Sequence, residues 1–178
     1  EYRALARQTW RQVETAIQTG RENTRINALV GSTRGRDARP PAIVVDVDET
    51  VLDNAPYEAR LVQDGADYEP KTWAAWVQEA QARPVPGALN ALSRAAAAGV
   101  AVFYVTNRDA ALEEPTRKNL ARWGFPIDAR RDVVMMKNER PEWTSDKSTR
   151  RAFIAKTHRI VALVGDDFGD FMPGAREG

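Results

Sequence analysis

The chain has 178 residues, of which 43% are hydrophobic and 29% charged, and this suits one domain of ordinary size with room for a small insertion. A net charge of +1 gives no electrostatic argument for a nucleic acid polymer as partner, and no apolar run approaches the roughly 20 residues that span a bilayer. Without cysteine and with the single histidine His158, the sequence excludes a disulfide framework, a thiol nucleophile, triad chemistry and a multi-histidine metal site.

The first part of the chain has the pattern of a helix followed by a linker. Residues 1 to about 29 carry apolar residues at mostly helical spacing, which predicts one amphipathic helix. We assign residues 1–30 to this helix and expect it to pack on the main domain. The Gly/Pro/Arg-rich stretch 31–41 predicts a linker into a core domain that spans residues 40–178.

Four short apolar runs recur through the core domain, and helical patterns separate the later ones. Such runs, rich in β-branched residues, are typical of strands buried on both faces of a parallel sheet. Strands that alternate with helices predict a three-layer α/β/α sandwich. The runs are AIVV at 42–45, VAVFYV at 100–105, VVMM at 133–136 and IVALV at 160–164.

Residues 51–85 are too many for one crossover connection between the first two strands. They hold aromatic residues among helix-forming ones, so we predict a small helical cap inserted after the first strand. Trp73 and Trp76 are three residues apart on a predicted helix, a spacing that favours packing over stacking on a nucleobase. For Tyr57, which is nearer the first strand, packing and substrate binding are equally supported.

A polar cluster follows each apolar run. Ligands of open α/β sheets gather at the carboxyl ends of the strands, so we expect these clusters to form one site. They are Asp46 and Asp48 after the first run, Thr106, Asn107 and Arg108 after the second, Lys147 after the third, and GDDFGD at 165–170, with Asp166 and Asp170, after the fourth.

The residue types in these clusters suit phosphoryl transfer. Asp46 and Asp48 are two residues apart, so an extended chain points both carboxylates the same way, and a divalent cation would relieve their repulsion. Carboxylates after the fourth run could supply further ligands to Mg²⁺. Lys147 and the Thr106 hydroxyl could each hold a phosphoryl oxygen. Positioning and charge neutralisation of this kind account for most of the catalysis in phosphoryl transfer.

The motifs DVDET, VTNR, DKS and GDDFGD, in this order, resemble the four motifs of the haloacid dehalogenase (HAD) superfamily of phosphohydrolases. Within it, the stretches TWAAWVQEAQARPVPGAL and VFYVTNR are similar to the acid phosphatases of the lipoprotein e type, which are bacterial 5′-nucleotidases. The resemblance covers roughly residues 40–172 and implies a HAD-like fold. Four motifs in order are a far more specific signal than one.

The resemblance also implies catalytic roles. Asp46 would be the nucleophile that forms an aspartyl-phosphate, and Asp48 would protonate the leaving alcohol and then activate water. Thr106, Asn107 and Lys147 would bind the transferring phosphoryl group. The implied reaction is that of an acid phosphatase, a phosphoric monoester hydrolase.

A magnesium ion is the cofactor that the resemblance implies. Asp46, the backbone carbonyl of Asp48, and Asp166 would hold it, with Asp167 or Asp170 in support through water. The implied substrate is a small phosphomonoester, in particular a 5′-nucleotide. The oligomeric state is not indicated.

The resemblance implies a periplasmic, secreted or outer-membrane-associated protein. Lipoproteins of that type are acylated on an N-terminal cysteine, which this sequence lacks, so membrane association would require a lipid anchor that has been removed. The sequence begins at Glu1 rather than Met, and a signal segment could have preceded it. Gly169 stands where a polar residue is expected, although the spacing of Asp166 and Asp170 is unchanged.

Other interpretations of the motifs are weaker. An EF-hand loop that began at Asp46 would need Gly at its sixth position and Glu at its twelfth, where this sequence has Val51 and Tyr57. GDDFGD taken alone could be an acidic turn. Lys137, directly after VVMM, competes with Lys147 for the phosphate-binding role; we favour Lys147 because it can lie at a helix start and matches DKS.

Three alternative functions are also compatible with the sequence. Two are enzymes of the same superfamily, a phosphotransferase and a protein phosphatase, since a small cap could leave the site open enough for protein. The third is a binding protein that retains the phosphate site without turnover. The presence of all four catalytic residue types disfavours this third reading.

Overall fold

The computed structural model describes residues 1–29 and 35–174, so residues 31–34 of the predicted linker and the end of the predicted core domain lie outside the described residues. The helices are α1 (Tyr2–Glu22), α2 (Ala55–Asp64), α3 (Pro70–Glu79), α4 (Ala88–Ala97), α5 (Glu113–Trp123) and α6 (Ser148–Ala155). The strands are β1 (Pro41–Val45), β2 (Leu52–Asp53), β3 (Arg83–Pro84), β4 (Ala101–Asp109), β5 (Val134–Lys137) and β6 (Arg159–Val164).

Four strands form a parallel sheet in the order β5-β4-β1-β6, so β1 lies at its centre. The four predicted apolar runs are these four strands. Since parallel pairing points every strand the same way, the carboxyl ends of β1, β4 and β6 meet at one edge. The prediction of an α/β fold with a parallel sheet is confirmed.

Helices cover both faces of this sheet. The chain moves from β1 to β4 to β5 in one direction and returns to β6 in the other, so right-handed crossovers place α4 and α5 on one face and α6 on the opposite one. Helix α1 packs against α4 and β6. In the described part of the chain, no helix is both long and apolar enough to cross a membrane.

The docking of α1 depends on two residues. A Cβ on Gly20 would lie 2.6 Å from Cβ of Val161, so only glycine lets the helix approach β6 this closely. The guanidinium of Arg159, which is buried, donates to the carbonyls of Gly20 at 2.7 Å and Ile26 at 2.8 Å. The bond to Gly20 satisfies a carbonyl in the last turn of α1, and the bond to Ile26 fixes the chain that follows the helix.

The segment between β1 and α4 contains α2, α3 and an antiparallel pair of two-residue strands. Leu52 pairs with Pro84 and Asp53 with Arg83, which brings the two ends of the segment together. Helix α3 contacts α5, so the segment is attached to the main body. The division into a helix at 1–30, a core at 40–178 and a cap at 51–85 remains a prediction.

His158 lies just before β6, at the amino end of the sheet. Its Nε2 is 2.7 Å from Nη1 of Arg131, and its Nδ1 is 2.8 Å from the Thr157 hydroxyl. A guanidinium can only donate, so Nε2 accepts and the imidazole is neutral. Burial and the neighbouring charge of Arg131 lower the pKa of His158 from its ordinary value of 6.5.

We expect the protein to lose stability on acidification because His158 is held neutral. A depressed pKa in the folded state contributes stability that is present above pH 6.5 and is lost as the pH falls through the folded-state pKa. The free energy of unfolding should therefore fall more steeply between pH 7 and pH 5 in the wild type than in His158→Gln. Denaturant titrations at several pH values measure this difference. The same dependence of the free energy of unfolding on pH in both proteins would contradict it.

Candidate active site

The site is built around Asp46, the first residue after β1. Its backbone N–H donates to the Val164 carbonyl at 2.9 Å, which extends the pairing with β6 by one residue. The residue is 8% exposed. Glu49, three residues on, has φ 53, a left-handed conformation that is uncommon outside glycine and is often found at functional sites. The chain therefore turns sharply away just after presenting Asp46 and Asp48.

Lys147, at the start of α6, reaches two carboxylates. Its Nζ donates to Oδ1 of Asp46 and to Oδ1 of Asp170, and all three side chains are buried. Lys137, the competing candidate, ends β5 and lies near Asp109. The structure thus places Lys147, and not Lys137, against the carboxylate expected to be the nucleophile.

Three carboxylates come together at this edge of the sheet. Asp46, Asp166 and Asp170 each offer an oxygen, and these oxygens lie within 4.8 Å of one another. Asp46 and Asp170 are buried, whereas Asp166 is exposed and faces solvent. A Cβ on Gly165 would lie 2.1 Å from Oδ2 of Asp170, so glycine at this position allows the close approach.

The electrostatics of this cluster suit a divalent cation. Burial raises the pKa of Asp46 to about 7, Lys147 opposes the shift, and Asp48 and Asp170 add to it. Loss of hydration and the nearby Asp170 also raise the pKa of Asp166. Lys147 neutralises only one of the three charges of the cluster. A hard divalent ion with oxygen ligands would neutralise the remainder, so the residues present fit Mg²⁺.

The carboxylate of Asp48 turns away from this cluster toward Arg108. The guanidinium of Arg108 donates to Oδ1 from Nη2 at 2.8 Å and from Nε at 3.1 Å, and to Oδ2 from Nε at 3.2 Å. The amide of Asn54 donates to Oδ1 at 2.8 Å. Of the proposed metal ligands, Asp48 is therefore the one whose carboxylate lies apart, as expected if it binds through its backbone carbonyl.

Thr106 and Asn107 lie in β4, which continues through the TNR motif to Asp109. Thr106 is fully buried, and its hydroxyl donates to Oδ2 of Asp48 at 3.5 Å and accepts the Arg108 N–H at 3.1 Å. The Asn107 amide donates to the Ser145 carbonyl at 2.9 Å and accepts from Arg150 at 2.6 Å. Because both ends of its side-chain amide are engaged, Asn107 would contact a phosphate through its backbone N–H, or its side chain would first have to break these two hydrogen bonds.

The three cap aromatics occupy different positions. Trp76 and Tyr57 are each 3% exposed, and Tyr57 bonds the Thr72 hydroxyl at 3.0 Å. Trp73 is half-buried, with its ring 5.2 Å from that of Tyr57 and 5.4 Å from the guanidinium carbon of Arg108. Burial supports packing for Tyr57 and Trp76, and only Trp73 keeps a partly accessible ring near Asp48.

Two grooves differ in their relation to the site. One of about 540 Å³ is lined by Pro40, Pro41 and His158 and lies at the amino ends of the strands, away from the carboxylates. Another, of about 270 Å³, is lined by residues of α1 together with Thr50 and Asp166. In open parallel sheets ligands bind at the carboxyl ends of strands, so the second groove is the one adjacent to the chemistry.

Asn54 and Arg150 are among the residues of the site that were not predicted from the sequence. Asn54 bonds Asp48, and the fully buried Arg150 donates to the Thr106 carbonyl and to Asn107. Burial lowers the pKa of Arg150 to about 10. Arg150 follows Lys147 by three residues, a helical spacing that places both on one side of α6 and could have indicated it.

A parallel sheet whose central strand ends in a buried aspartate, faced by a lysine and an acidic loop from neighbouring elements, defines a HAD-type protein. Residues 4–177 match the family model described as HAD superfamily, subfamily IIIB (acid phosphatase). The chain belongs to this family, and the resemblance drawn from the four motifs is confirmed.

The chain is also similar to solved structures of an acid phosphatase and to a curated plant protein. The class C acid phosphatase from Bacillus anthracis is 31% identical, with a TM-score of 0.81 over 97% of this chain and 65% of that chain. A structure of that enzyme with tungstate bound gives 32% identity and a TM-score of 0.80 over the same shares. The stem 28 kDa glycoprotein of Glycine max is 23% identical over 138 residues, which are 75% of this chain and 53% of that protein. The chain thus spans about half the length of this curated relative.

Proposed function

We propose that this protein is a Mg²⁺-dependent phosphomonoesterase, an acid phosphatase that acts through an aspartyl-phosphate on Asp46. The observation that carries the proposal is the contact of Lys147 with Asp46 at the end of the central strand, beside the Asp166 and Asp170 carboxylates. Membership of an acid phosphatase family supports the reaction class.

In the first step, a carboxylate oxygen of Asp46 attacks phosphorus in line as the bond from phosphorus to the leaving oxygen breaks. Lys147 contacts one Asp46 oxygen and would hold a phosphoryl oxygen of the substrate. Asp48 gives its proton to the departing alkoxide, which leaves as the alcohol. The Thr106 hydroxyl in β4 donates to Oδ2 of this carboxylate at 3.5 Å.

In the second step, Asp48 takes a proton from water, whose oxygen attacks the phosphorus of the aspartyl-phosphate. The bond between phosphorus and Asp46 breaks, which restores the carboxylate and releases phosphate. Asp46, Asp166 and Asp170, with the backbone carbonyl of Asp48, would hold Mg²⁺, which would neutralise charge on the phosphoryl oxygens.

The proposed substrates are small phosphomonoesters, among them 5′-nucleotides. The Bacillus anthracis enzyme has been solved with tungstate, an oxyanion, and this supports an oxyanion site in the corresponding fold. Nucleotide preference, with Trp73 as the candidate stacking ring, rests on the resemblance to the lipoprotein e type. So does the proposed periplasmic, secreted or outer-membrane-associated location.

Hydrolysis of 4-nitrophenyl phosphate tests the proposal. We expect turnover with Mg²⁺ within pH 4 to 8, a loss to background with a chelator, and recovery when Mg²⁺ is restored, because the acidic cluster needs a cation to accept an anionic substrate. A panel of nucleotides and sugar phosphates would then rank the substrates. Activity unchanged by chelation would contradict the metal requirement, and no turnover at any pH would contradict the hydrolase.

Phosphotransferase or protein phosphatase activity would use the same residues, and a binding protein would retain them without turnover. Transfer to an added alcohol, release of phosphate from a phosphopeptide, and oxyanion binding without hydrolysis separate these three alternatives. We favour hydrolysis of small substrates because the family match is to acid phosphatases.

A further inference from the structure

Asp48 is held on one side by two buried side chains that come from different parts of the chain. Arg108 in β4 grips the carboxylate through Nε and Nη2, and its side chain is 1% exposed. Asn54, at the start of α2, donates its amide N–H from another direction. A two-point guanidinium grip fixes the orientation of a carboxylate as well as its charge.

The two oxygens of Asp48 are held very differently. Oδ1 receives three hydrogen bonds, at 2.8 Å from Arg108 Nη2, 2.8 Å from Asn54 and 3.1 Å from Arg108 Nε. Oδ2 receives only longer ones, at 3.2 Å from Arg108 Nε and 3.5 Å from Thr106. A proton on Oδ1 would point at three hydrogen-bond donors. Oδ2 has only two longer contacts and can carry a proton, so Oδ2 is the oxygen available for proton transfer.

The two holding groups are themselves fixed. The indole N–H of Trp76 donates to Oδ1 of Asn54 at 2.8 Å, which sets the amide so that its N–H₂ faces Asp48. Arg108 donates from Nη1 to the buried Thr116 hydroxyl at 3.1 Å, and its guanidinium lies over the Trp73 ring. Side chains that are locked in this way hold a reacting group within the small tolerance that catalysis needs.

We propose that Arg108 and Asn54 are positioning residues that hold Asp48 by Oδ1 and leave Oδ2 to exchange protons with the leaving group. The inference rests on the proposed function, in which Asp48 is the acid and base. Trp76, for which the sequence favoured packing over stacking on a nucleobase, acts in this arrangement through Asn54. The cap thereby orients the acid of the core.

A comparison of leaving groups tests this proposal without relying on overall activity. An aryl phosphate with an acidic phenol leaves with little need of a proton, whereas an alkyl phosphate such as glycerol phosphate must be protonated. In Arg108→Met, kcat/KM for the alkyl ester should fall about 10²-fold more than kcat/KM for the aryl ester, within the range ascribed to general acid catalysis. Arg108→Lys keeps the positive charge but cannot make the two-point guanidinium contact. Its kcat/KM should also fall more for the alkyl ester than for the aryl ester, by a smaller factor.

Asn54→Ser is the second variant, and it should also reduce kcat/KM for the alkyl ester more than for the aryl ester. Arg117→Met is the matched control because it removes an arginine that pairs with Glu113 and Asp132, and it should leave kcat/KM unchanged for both esters. If Arg108→Met does not fold in circular dichroism, the Lys and Ser variants decide. If the wild type is active, equal losses of kcat/KM on both esters, or no loss, would overturn the positioning role. An inactive wild type would instead contradict the proposed function.

Discussion

Replacement of Asp46 with Asn is expected to abolish turnover while the protein stays folded. The amide has the same size and can still accept from Lys147, but it cannot attack phosphorus. We expect kcat to fall on the order of 10⁴-fold or more, as when other enzymes lose their nucleophile. Acid-quenched wild-type protein should carry a phosphoryl group during turnover, and the variant should carry none, which mass spectrometry measures.

The same variant separates a catalytic from a structural role for Asp46. Because burial raises the pKa of Asp46 to about 7, its ionisation opposes folding above that pH, so metal-free Asp46→Asn should be at least as stable as the wild type at pH 8. Asp64→Asn makes the identical change at an exposed position near the end of α2 and should keep full activity. Retained turnover in Asp46→Asn would show that another group is the nucleophile.

Much of the sheet could be predicted because its strands are buried on both faces. The runs at 42–45 and 160–164 match β1 (Pro41–Val45) and β6 (Arg159–Val164) to within one residue, since continuous apolar composition marks a strand between two helical layers. The pair β2 and β3 was not predicted. Strands of two residues are too short for any periodicity, and their pairing joins residues that are 30 and 32 positions apart in the chain, roughly the length of a βαβ unit.

The sequence indicated the carboxylates of the site and one of their partners. Asp46 and Asp48 needed compensation wherever they lay, and the DKS motif at a helix start favoured Lys147 over Lys137, but the contacts of Arg108, Asn54 and Arg150 depend on the fold. The grip of Arg108 on Asp48 also depends on strand register. Thr106 and Arg108 are two residues apart in β4 and so project to the same face, a signal that was present but depended on β4 extending through the motif.

Asp46 and Asp48 have different environments because one contacts a lysine and the other an arginine. Asp46 shares a lysine, a compact point charge, with Asp170 and remains next to the acidic cluster. Asp48 has a planar guanidinium of its own, which turns its carboxylate out of that cluster. Lysine suits the position beside Asp46 because the three N–H donors of its ammonium can contact a carboxylate and a phosphoryl oxygen together. A planar guanidinium instead fixes the orientation of a single carboxylate.

Lys147→Met should combine a large loss of stability with a large loss of activity. The substitution leaves the buried carboxylates of Asp46 and Asp170 without their shared ammonium, and breaking a buried pair in this way costs about 3–5 kcal/mol. Turnover should fall roughly 10²–10³-fold through the lost stabilisation of the phosphoryl group. Denaturant titration and steady-state kinetics measure the two effects.

The pH dependence identifies the cause of the lost stability. Without Lys147 the pKa of Asp46 rises further, and a raised carboxyl pKa contributes stability that is present below its ordinary value of 3.8 and is lost as the pH rises through the folded-state pKa. The deficit of Lys147→Met should therefore be smaller at pH 5 than at pH 8, and Asp46→Asn in the same chain should reduce it. Lys137→Met, the same change at the other candidate lysine, should be close to neutral. A deficit independent of both pH and Asp46 would mean that Lys147 contributes mainly by packing its aliphatic chain.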